Sequence, residues 1–379
     1  MPDEGLSPDE NVQRRRAQPD ASQKLIDHQT PRVISDQPHI LVIRLSSMGD
    51  VALTVPVLWA FAQQYPKARI TLITREHFAP LFRGLDIDFV FPDLYGKHKG
   101  VVGLYRLFRE LKSKNSWDVV VDLHDVLRTK ILRFFFRLNN IPISVIDKGR
   151  KEKKALTARQ NKVLKPLKHT TVRYANVFEQ AGFPIDLTNK SAFKSAFSLS
   201  EELAQAYGEK NQQKWIGIAP FAKHEPKMYP LEKMTEVIDV LIQDGHKIFL
   251  LGGGKKEKNL AHEICKTRPK LVNTIGKHTL EDELGLLSRL DVVLTMDSAN
   301  MHMASLTGTQ VVSIWGATHP FAGFSAFGQN DTHAVQISAD ELPCRPCSVF
   351  GNKPCHRGDH ACMMGIAPET IVSRMGQVQ

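Results

Sequence analysis

Short, uninterrupted aliphatic runs constrain the fold of this chain more than any other feature. The first is His39-Ile40-Leu41-Val42-Ile43-Arg44, and helical spacing follows such runs, as over Gly103–Leu111. An aliphatic run this short, without polar alternation, indicates a strand buried on both faces of a parallel sheet. Strands that alternate with helices predict right-handed βαβ units. The remaining predicted strands cover 69–74, 88–91, 117–123, 215–220, 247–251, 271–275, 291–294 and 310–315.

The strand–helix pattern occurs twice, with an interruption near residues 188–198. It predicts an α/β protein with two Rossmann-like, doubly wound domains facing a central cleft, over residues 37–195 and 196–379. Residues 1–36 are polar, have no apolar period and are expected to be a disordered extension. Ligands of open parallel sheets bind at the carboxyl ends of the strands, so the loops there are the first place to look for a site.

Charge and hydropathy indicate which ligands and which cellular location suit this chain. The formal charge is +10 and the pI is about 9.3, a balance that favours anionic ligands or an anionic membrane surface. No zinc finger, ribonucleoprotein motif or heptad array supports a nucleic-acid partner. No apolar run reaches 18 residues, and the start lacks the apolar stretch of a signal peptide, so a cytoplasmic location is expected.

The first predicted loop, Ser46-Ser47-Met48-Gly49-Asp50, ends on an aspartate. Backbone N–H groups at a helix N-terminus suit anions, but a carboxylate repels phosphate. Asp50 therefore either acts as a general base toward an acceptor hydroxyl or is a helix-terminal charge favoured by the macrodipole.

Three loops of the second half could bind a nucleotide. Lys223 and Lys227 can supply positive charge to a diphosphate, or belong to an ordinary solvated loop. The triplet Gly252-Gly253-Gly254 allows close approach of a ligand to the backbone, or simply connects a strand to a helix.

The third of these loops begins at Asp297, which ends a predicted strand and could accept hydrogen bonds from sugar hydroxyls. Ser298 and Ala299 then open a helix whose first N–H groups can bind phosphate. His302 on that helix is either a ligand contact or a core histidine.

Together these loops resemble glycosyltransferase family 9, the bacterial heptosyltransferases. The resemblance covers about residues 38–376 and departs from the family at Pro220-Phe221 and at Tyr229, which stands where the family has tryptophan. It depends on motifs that are far apart in the chain: Ile43–Val51 with Thr54 and Pro56, Ala219–Ala222, Lys227-Met228-Tyr229-Pro230, Asp297–His302 and Trp315–Thr318.

The resemblance implies a GT-B fold and an inverting transfer from ADP-heptose to a lipopolysaccharide inner-core acceptor, with no metal cofactor required for catalysis. It implies that Asp50 is the catalytic base, Lys227 a diphosphate contact and Asp297 a contact of the donor sugar. The expected donor-binding residues are Lys227, Lys223, Gly252, Gly253, Asp297, Ser298, Ala299 and His302.

A basic segment indicates an anionic acceptor. Between Lys148 and Arg173 lie ten Lys or Arg residues and one acid, Glu152, in what the pattern predicts to be a loop. Such a loop could dock a phosphorylated glycolipid and the inner membrane surface, or be merely solvated. The expected acceptor-binding residues are Ser47, Gly49, Arg128, Lys151, Lys153 and Lys154.

Four of the five cysteines lie within a Cys-rich segment, residues 344–362. Disulfides are disfavoured in a reducing cytoplasm, so structural zinc and free thiols are the main alternatives. The zinc ligands would be Cys344, Cys347, Cys355 and Cys362.

Other functions are compatible with parts of the pattern. A nicotinamide-dependent oxidoreductase would share the two Rossmann-like halves but needs GxGxxG, which is missing. A non-catalytic saccharide-binding relative would not need Asp50, Lys227 and Asp297 together. A GT-B glycosyltransferase that uses another nucleotide sugar is the third alternative.

Overall fold

Two parallel β-sheets, one from each half of the chain, organise the protein. A computed structural model describes residues 35–189 and 196–378. The first sheet has the strand order β3-β2-β1-β4-β5, and every described pair in it is parallel. Its strands are β1 His39–Ile43, β2 Arg69–Ile73, β3 Asp88–Val90, β4 Val119–Asp122 and β5 Ile143–Val145.

The second sheet repeats this order with one more strand, as β11-β10-β9-β6-β7-β8. In each sheet the first strand lies between the second and the fourth, so the winding direction reverses beside it. A crevice opens at such a switch point, outside the carboxyl ends of β1 and β4 and of β6 and β9. The strands are β6 Trp215–Ala219, β7 Lys247–Leu250, β8 Leu271–Asn273, β9 Val292–Met296, β10 Gln310–Ile314 and β11 Ala334–Val335.

Helices connect the strands and cover the sheets. The α-helices are α1 Met48–Ala52, α2 Val55–Gln64, α3 Gly100–Lys114, α4 Leu127–Leu138, α5 Arg150–Leu156, α6 Thr170–Gln180, α7 Glu201–Tyr207, α8 Leu231–Gln243, α9 Lys255–Lys266, α10 Leu280–Leu287, α11 Ala299–Leu306, α12 Ala361–Met364 and α13 Pro368–Gly376. Short 3-10 helices cover Glu76–Phe82, Glu225–Lys227, Pro320–Ala322 and Asp331–His333. Within the described part of the chain, no helix has the length and apolar character needed to span a bilayer.

The structure agrees with the predicted strands apart from their ends and two omissions. Trp117 was predicted to begin the fourth strand but precedes β4, and its ring packs on His39 of β1, with the ring centroids 4.4 Å apart. The two strands that were not predicted are the edge strands β5 and β11, with three and two residues. The predicted extension 1–36 lies outside the described residues except for its last two positions.

One apolar cluster joins the two halves. Val51 and Phe61 from the first half and Met301 and Trp215 from the second belong to the same buried cluster. Two further clusters fill the other faces of the two sheets. The two switch points are therefore held at fixed positions by packing between the halves.

Candidate active site

Asp50 lies in α1, directly after β1 and at the switch point of the first sheet. Its Oδ2 accepts a hydrogen bond of 2.6 Å from the Ser47 hydroxyl and lies 2.9 Å from the Arg44 guanidinium. Arg44 is itself fixed because it donates to the Leu123 carbonyl oxygen, at the end of β4. The two strands that border the switch point thus hold the carboxylate in place.

The surroundings of Asp50 keep it ionised. Burial by itself would raise the pKa of this carboxyl. The nearby Arg44 charge, the Ser47 hydrogen bonds and His302 outweigh burial and leave the pKa below its ordinary value. Asp50 is also an acid in the first turn of a helix, as the helix-terminal interpretation of the sequence predicted.

Helix α1 packs directly against α11 of the second half. A Cβ atom on Gly49 would lie 2.8 Å from His302 Cδ2, so only glycine permits this approach. His302 is buried, and burial lowers its pKa to about 4 although Asp297 and Asp50 oppose the shift. A neutral imidazole therefore lies near carboxylates from both halves, and among the described residues its Nδ1 has no hydrogen-bond partner.

Lys227 and Asp297 meet at the switch point of the second sheet. The Lys227 Nζ lies 2.9 Å from Asp297 Oδ2, and both side chains are largely buried. Asp297 directly follows β9, and Ser298 is the N-cap residue of α11, which begins at Ala299. The predicted diphosphate, sugar and phosphate contacts thus share one end of the second sheet.

The glycine triplet follows β7 and precedes α9. Gly252 and Gly254 have positive φ angles, and the Gly253 N–H donates a 2.8 Å hydrogen bond to Glu257 Oε2. Burial raises the pKa of Glu257. Glu257 is the third residue of the lysine-rich helix α9, and no sequence motif predicted its contact with the glycine triplet. Lys223 is exposed in the loop after β6.

A cavity of about 670 Å³ opens beside Asp50. This volume lies within the usual range for a small-molecule site. Seven cationic side chains line it, against the single carboxylate of Asp50, so the cavity favours an anionic ligand. The cations are Arg44, Lys148, Arg150, Lys153, Lys154, Arg173 and Lys353.

The seven cations differ in their pairing. Arg173 lies 2.6 Å from Glu152, and Arg150 lies 3.3 Å from Asp125. Lys153, Lys154 and Lys353 also line the cavity and form no ion pair with any described acid. Lys153 is buried, and burial lowers its pKa to about 8. Its Nζ lies 4.2 Å from the ring centroid of Phe324, which belongs to the second half.

The expected acceptor residues do not all reach this cavity. Ser47, Lys153 and Lys154 line it, whereas Gly49 faces His302. The predicted basic loop is partly helical, because Arg150–Leu156 consists of good helix formers and makes α5. Lys151 is exposed outside the cavity lining, and Arg128 stacks at 5.8 Å over the Tyr95 ring.

Several lining residues were not expected from sequence. Arg44 directly follows the first aliphatic run and precedes the loop with Asp50, so its sequence position could have indicated a site residue. Tyr174 donates to the Asp50 carbonyl oxygen at 3.3 Å, across 124 positions of the chain. Lys353 comes from the Cys-rich segment of the other half. Contacts between residues so far apart along the chain cannot be predicted from local sequence.

The Cys-rich segment touches both sides of the site. Lys162 of the first half donates to the carbonyl oxygens of Arg345 and Pro346 in this segment and of Pro343 directly before it. Its residues 348–350 and 352–353 line the cavity beside Asp50. Gly351 lies against Lys227, because a Cβ atom there would be 2.3 Å from Lys227 Cγ. The segment therefore bridges the two predicted substrate sites.

Arg345 attaches this segment to the second sheet. Its buried guanidinium donates to the carbonyl oxygens of Gly316, Trp315 and Thr318 and to Gln336 Oε1, at 2.6 to 3.2 Å. It also donates to the Ile337 carbonyl oxygen. The loop after β10 is thus held by a single arginine.

The four cysteines of the segment are free thiols that line one small enclosed cavity together with His356 and His360. Over residues 35–189 and 196–378, no three His, Cys, Asp or Glu side chains are arranged to hold a metal ion. The thiols share a cavity without forming a ligand set, so the predicted zinc site has no support from this geometry.

Two doubly wound sheets with polar groups gathered at both switch points define a nucleotide-binding class of fold. A glycosyltransferase family 9 structure from Veillonella parvula DSM 2008 has this fold, with a TM-score of 0.70 at 22% identity over 90% of this chain and 97% of that one. The E. coli heptosyltransferase WaaC, solved with ADP, matches with a TM-score of 0.63 at 16% identity, over 90% of this chain and 100% of that one. The predicted GT-B fold is confirmed.

Residues 104–353 match the profile of glycosyltransferase family 9 (heptosyltransferase). The chain belongs to this family and is a glycosyltransferase. The lipopolysaccharide heptosyltransferase 1 of Campylobacter coli is 26% identical over 296 residues, which are 74% of this chain and 84% of that protein.

The ion pair with Arg44 makes a testable prediction about Asp50. Because Arg44 favours the ionised carboxylate, Arg44→Gln should raise the pKa of Asp50, and protonation should begin at a higher pH than in the wild type. The measurement is a carboxyl ¹³C NMR titration of aspartate-labelled protein, with the signal assigned by Asp50→Asn. Arg150→Gln, which removes a partner of Asp125 instead, is the matched control. An unchanged Asp50 titration in Arg44→Gln would contradict the role of this ion pair.

Proposed function

We propose that this glycosyltransferase transfers a heptose from ADP-heptose to the inner core of lipopolysaccharide, with inversion at the anomeric carbon. One observation carries the proposal. The contact between α1 and α11 brings Asp50 of the first half and the Lys227–Asp297 pair of the second half close enough to His302 to influence its pKa. A base and a cation for the leaving group thus come from opposite switch points. The relatives named as lipopolysaccharide heptosyltransferases support the donor and acceptor classes.

In this mechanism Asp50 is the general base. The carboxylate is ionised, so it can accept the proton of an acceptor hydroxyl that enters the cavity beside it. The Ser47 hydroxyl and Arg44 occupy its Oδ2 and orient the group. A single displacement at the anomeric carbon then inverts its configuration.

The second half would stabilise the leaving diphosphate. Lys227 supplies a cation, and the N-terminus of α11 at Ser298 and Ala299 supplies backbone N–H groups. Asp297 holds Lys227 in place and can accept hydrogen bonds from the donor sugar. These groups would neutralise the growing negative charge without a divalent cation. Lys223, Gly252, Gly253 and His302 complete the proposed donor site.

The acceptor would be an anionic glycolipid. Lys153, Lys154 and Lys353 line the cavity beside the base without acidic partners among the described residues. A phosphorylated or carboxylated saccharide would neutralise them. Such an acceptor is anchored in a bilayer, so we also propose peripheral contact with the cytoplasmic face of the inner membrane.

Two substitutions separate the proposed chemistry from donor binding. Asp50→Asn should lower kcat by about 10²–10⁴-fold, because the acceptor hydroxyl loses its base. Lys227→Ala should weaken ADP binding by about 1.5–3 kcal/mol, the range of a hydrogen bond to a charged group. Turnover of ADP-heptose with a lipopolysaccharide core acceptor and calorimetric titration with ADP measure the two effects.

Each variant is the control for the other. Asp50→Asn should bind ADP as tightly as the wild type, within about threefold, because Asp50 faces the acceptor cavity. Wild-type turnover in Asp50→Asn would refute its assignment as base. Wild-type ADP affinity in Lys227→Ala would refute the proposed diphosphate site at this end of the second sheet.

Two neighbouring lysines on α5 test the acceptor site. Lys154 lines the cavity, whereas Lys151 is exposed outside it. Lys154→Gln should raise the acceptor KM by about three- to tenfold at low salt and less at high salt, where exposed charges are screened. Lys151→Gln should leave the acceptor KM near the wild-type value, and the donor KM should change in neither. Equal effects of the two substitutions on the acceptor KM would contradict a specific contact of Lys154 and would assign the effect to the total charge of α5.

Structural zinc at the Cys-rich segment is a separate proposal. It rests on the type of donor and not on the observed arrangement, because cysteine thiolates are ligands that zinc prefers, whereas the four described cysteines line one cavity without forming a ligand set. Elemental analysis of the purified full chain should find about one metal ion per chain. Cys344→Ser combined with Cys355→Ser should remove it, whereas Cys265→Ser should not. A metal-free wild-type protein with four titratable thiols in this segment would refute the site.

A further inference from the structure

An unusual surface lies on the outer side of α3 and α4. Large apolar side chains are exposed there, with Val102 and Leu127 each 73% exposed and Leu138 64% exposed. Isolated exposed apolar residues are common, but a group on adjacent helices marks an interaction surface. We call this surface the α3–α4 face, and its apolar members are Tyr95, Val101, Val102, Tyr105, Leu127, Phe134 and Leu138.

The two helices that carry most of these side chains are neighbours. Helices α3 and α4 pack on the same apolar cluster, so their outer sides point the same way. The Tyr105 ring of α3 contacts the Phe135 ring of α4, with centroids 5.1 Å apart. At the other edge, the guanidinium of Arg128 lies 5.8 Å from the Tyr95 ring centroid.

The charge of the face is strongly positive. Helix α3 contributes Arg106, Arg109, Lys112 and Lys114 against the single acid Glu110, which itself pairs with Lys97. Helix α4 contains no acid and contributes Arg128, Lys130 and Arg137; its fourth cation, Arg133, is largely buried and pairs with Asp122 and Asp125. Apolar side chains among cations suit an anionic bilayer surface, which attracts the charges and accepts the apolar groups.

The face borders the cavity that contains Asp50. Val126 lines the cavity, and the next residue, Leu127, begins α4 and is one of the most exposed apolar residues of the face. A bilayer on this face would therefore lie at the rim of the cavity. A lipid-anchored acceptor could then enter without leaving its membrane.

We propose that the α3–α4 face is the surface by which this protein docks on an anionic lipid bilayer. The entry of a lipid-anchored acceptor rests on the proposed function, whereas the binding of this face to a bilayer does not. A symmetric pair of chains is a poorer occupant, because a two-fold contact would set the same cations against each other. The bilayer is the partner that matches both the charge and the apolar groups.

Vesicle sedimentation of the full chain tests the proposal. The wild type should bind vesicles of phosphatidylethanolamine with phosphatidylglycerol, bind phosphatidylcholine vesicles weakly, and release as salt rises. The double variant Val102→Asp with Leu138→Asp should lose affinity for the anionic vesicles by about tenfold or more, since it removes apolar groups and adds negative charge. Val240→Asp, which changes an exposed apolar residue on α8 of the second half, should bind like the wild type.

The remaining outcomes are distinguishable. The double variant should keep wild-type activity on a water-soluble, lipid-free acceptor, and Val102→Ser with Leu138→Ser replaces it if the aspartates prevent folding. Equal vesicle binding by the wild type and the serine variant would overturn the proposal. A wild-type dimer that the serine variant converts to a monomer, without vesicle binding by either, would assign the face to a second copy of the chain. Wild-type vesicle binding without heptose transfer would refute the proposed function and leave the docking surface in place.

Discussion

The close packing of α1 on α11 is the contact on which the rest of the site depends. Gly49 lacks a side chain, so His302 can approach the backbone of α1. This approach brings the first turn of one helix, with Asp50, next to the first turn of the other, which follows Asp297. Two parallel sheets thereby turn their switch points toward the same region. Without this contact, each half would carry only part of a site.

Electrostatics distinguish the two sides of this contact. On the second half, Lys227 and Asp297 neutralise each other in a largely buried pair. On the first half, Asp50 is the only carboxylate among seven cations that line its cavity. Arg44 keeps that carboxylate ionised despite its burial. A neutralised pair thus lies next to a cavity with an excess of positive charge, an arrangement that suits two anionic substrates.

The Cys-rich segment adds a second connection between the halves. Arg345 fastens it to the second sheet, and Lys162 of the first half donates to its carbonyl oxygens. Between these attachments it passes Lys227 at Gly351 and reaches the cavity at Lys353. The segment therefore connects the two halves beside both predicted substrate sites.

Sequence by itself determined the two parallel sheets, because strands buried on both faces must be aliphatic, and it placed Asp50 and Asp297 at strand ends. Family resemblance added their expected roles. Tertiary structure decided which cations share the cavity. Lys154 reaches it, and Lys151, almost one turn earlier on the same side of α5, does not, so the packing of α5 against the rest of the protein makes the difference. It also supplied Lys353, which enters from the other half. Local sequence determines helices, strands and turns through apolar periodicity and turn residues. Contacts between residues 100 or more positions apart depend instead on how the two sheets pack.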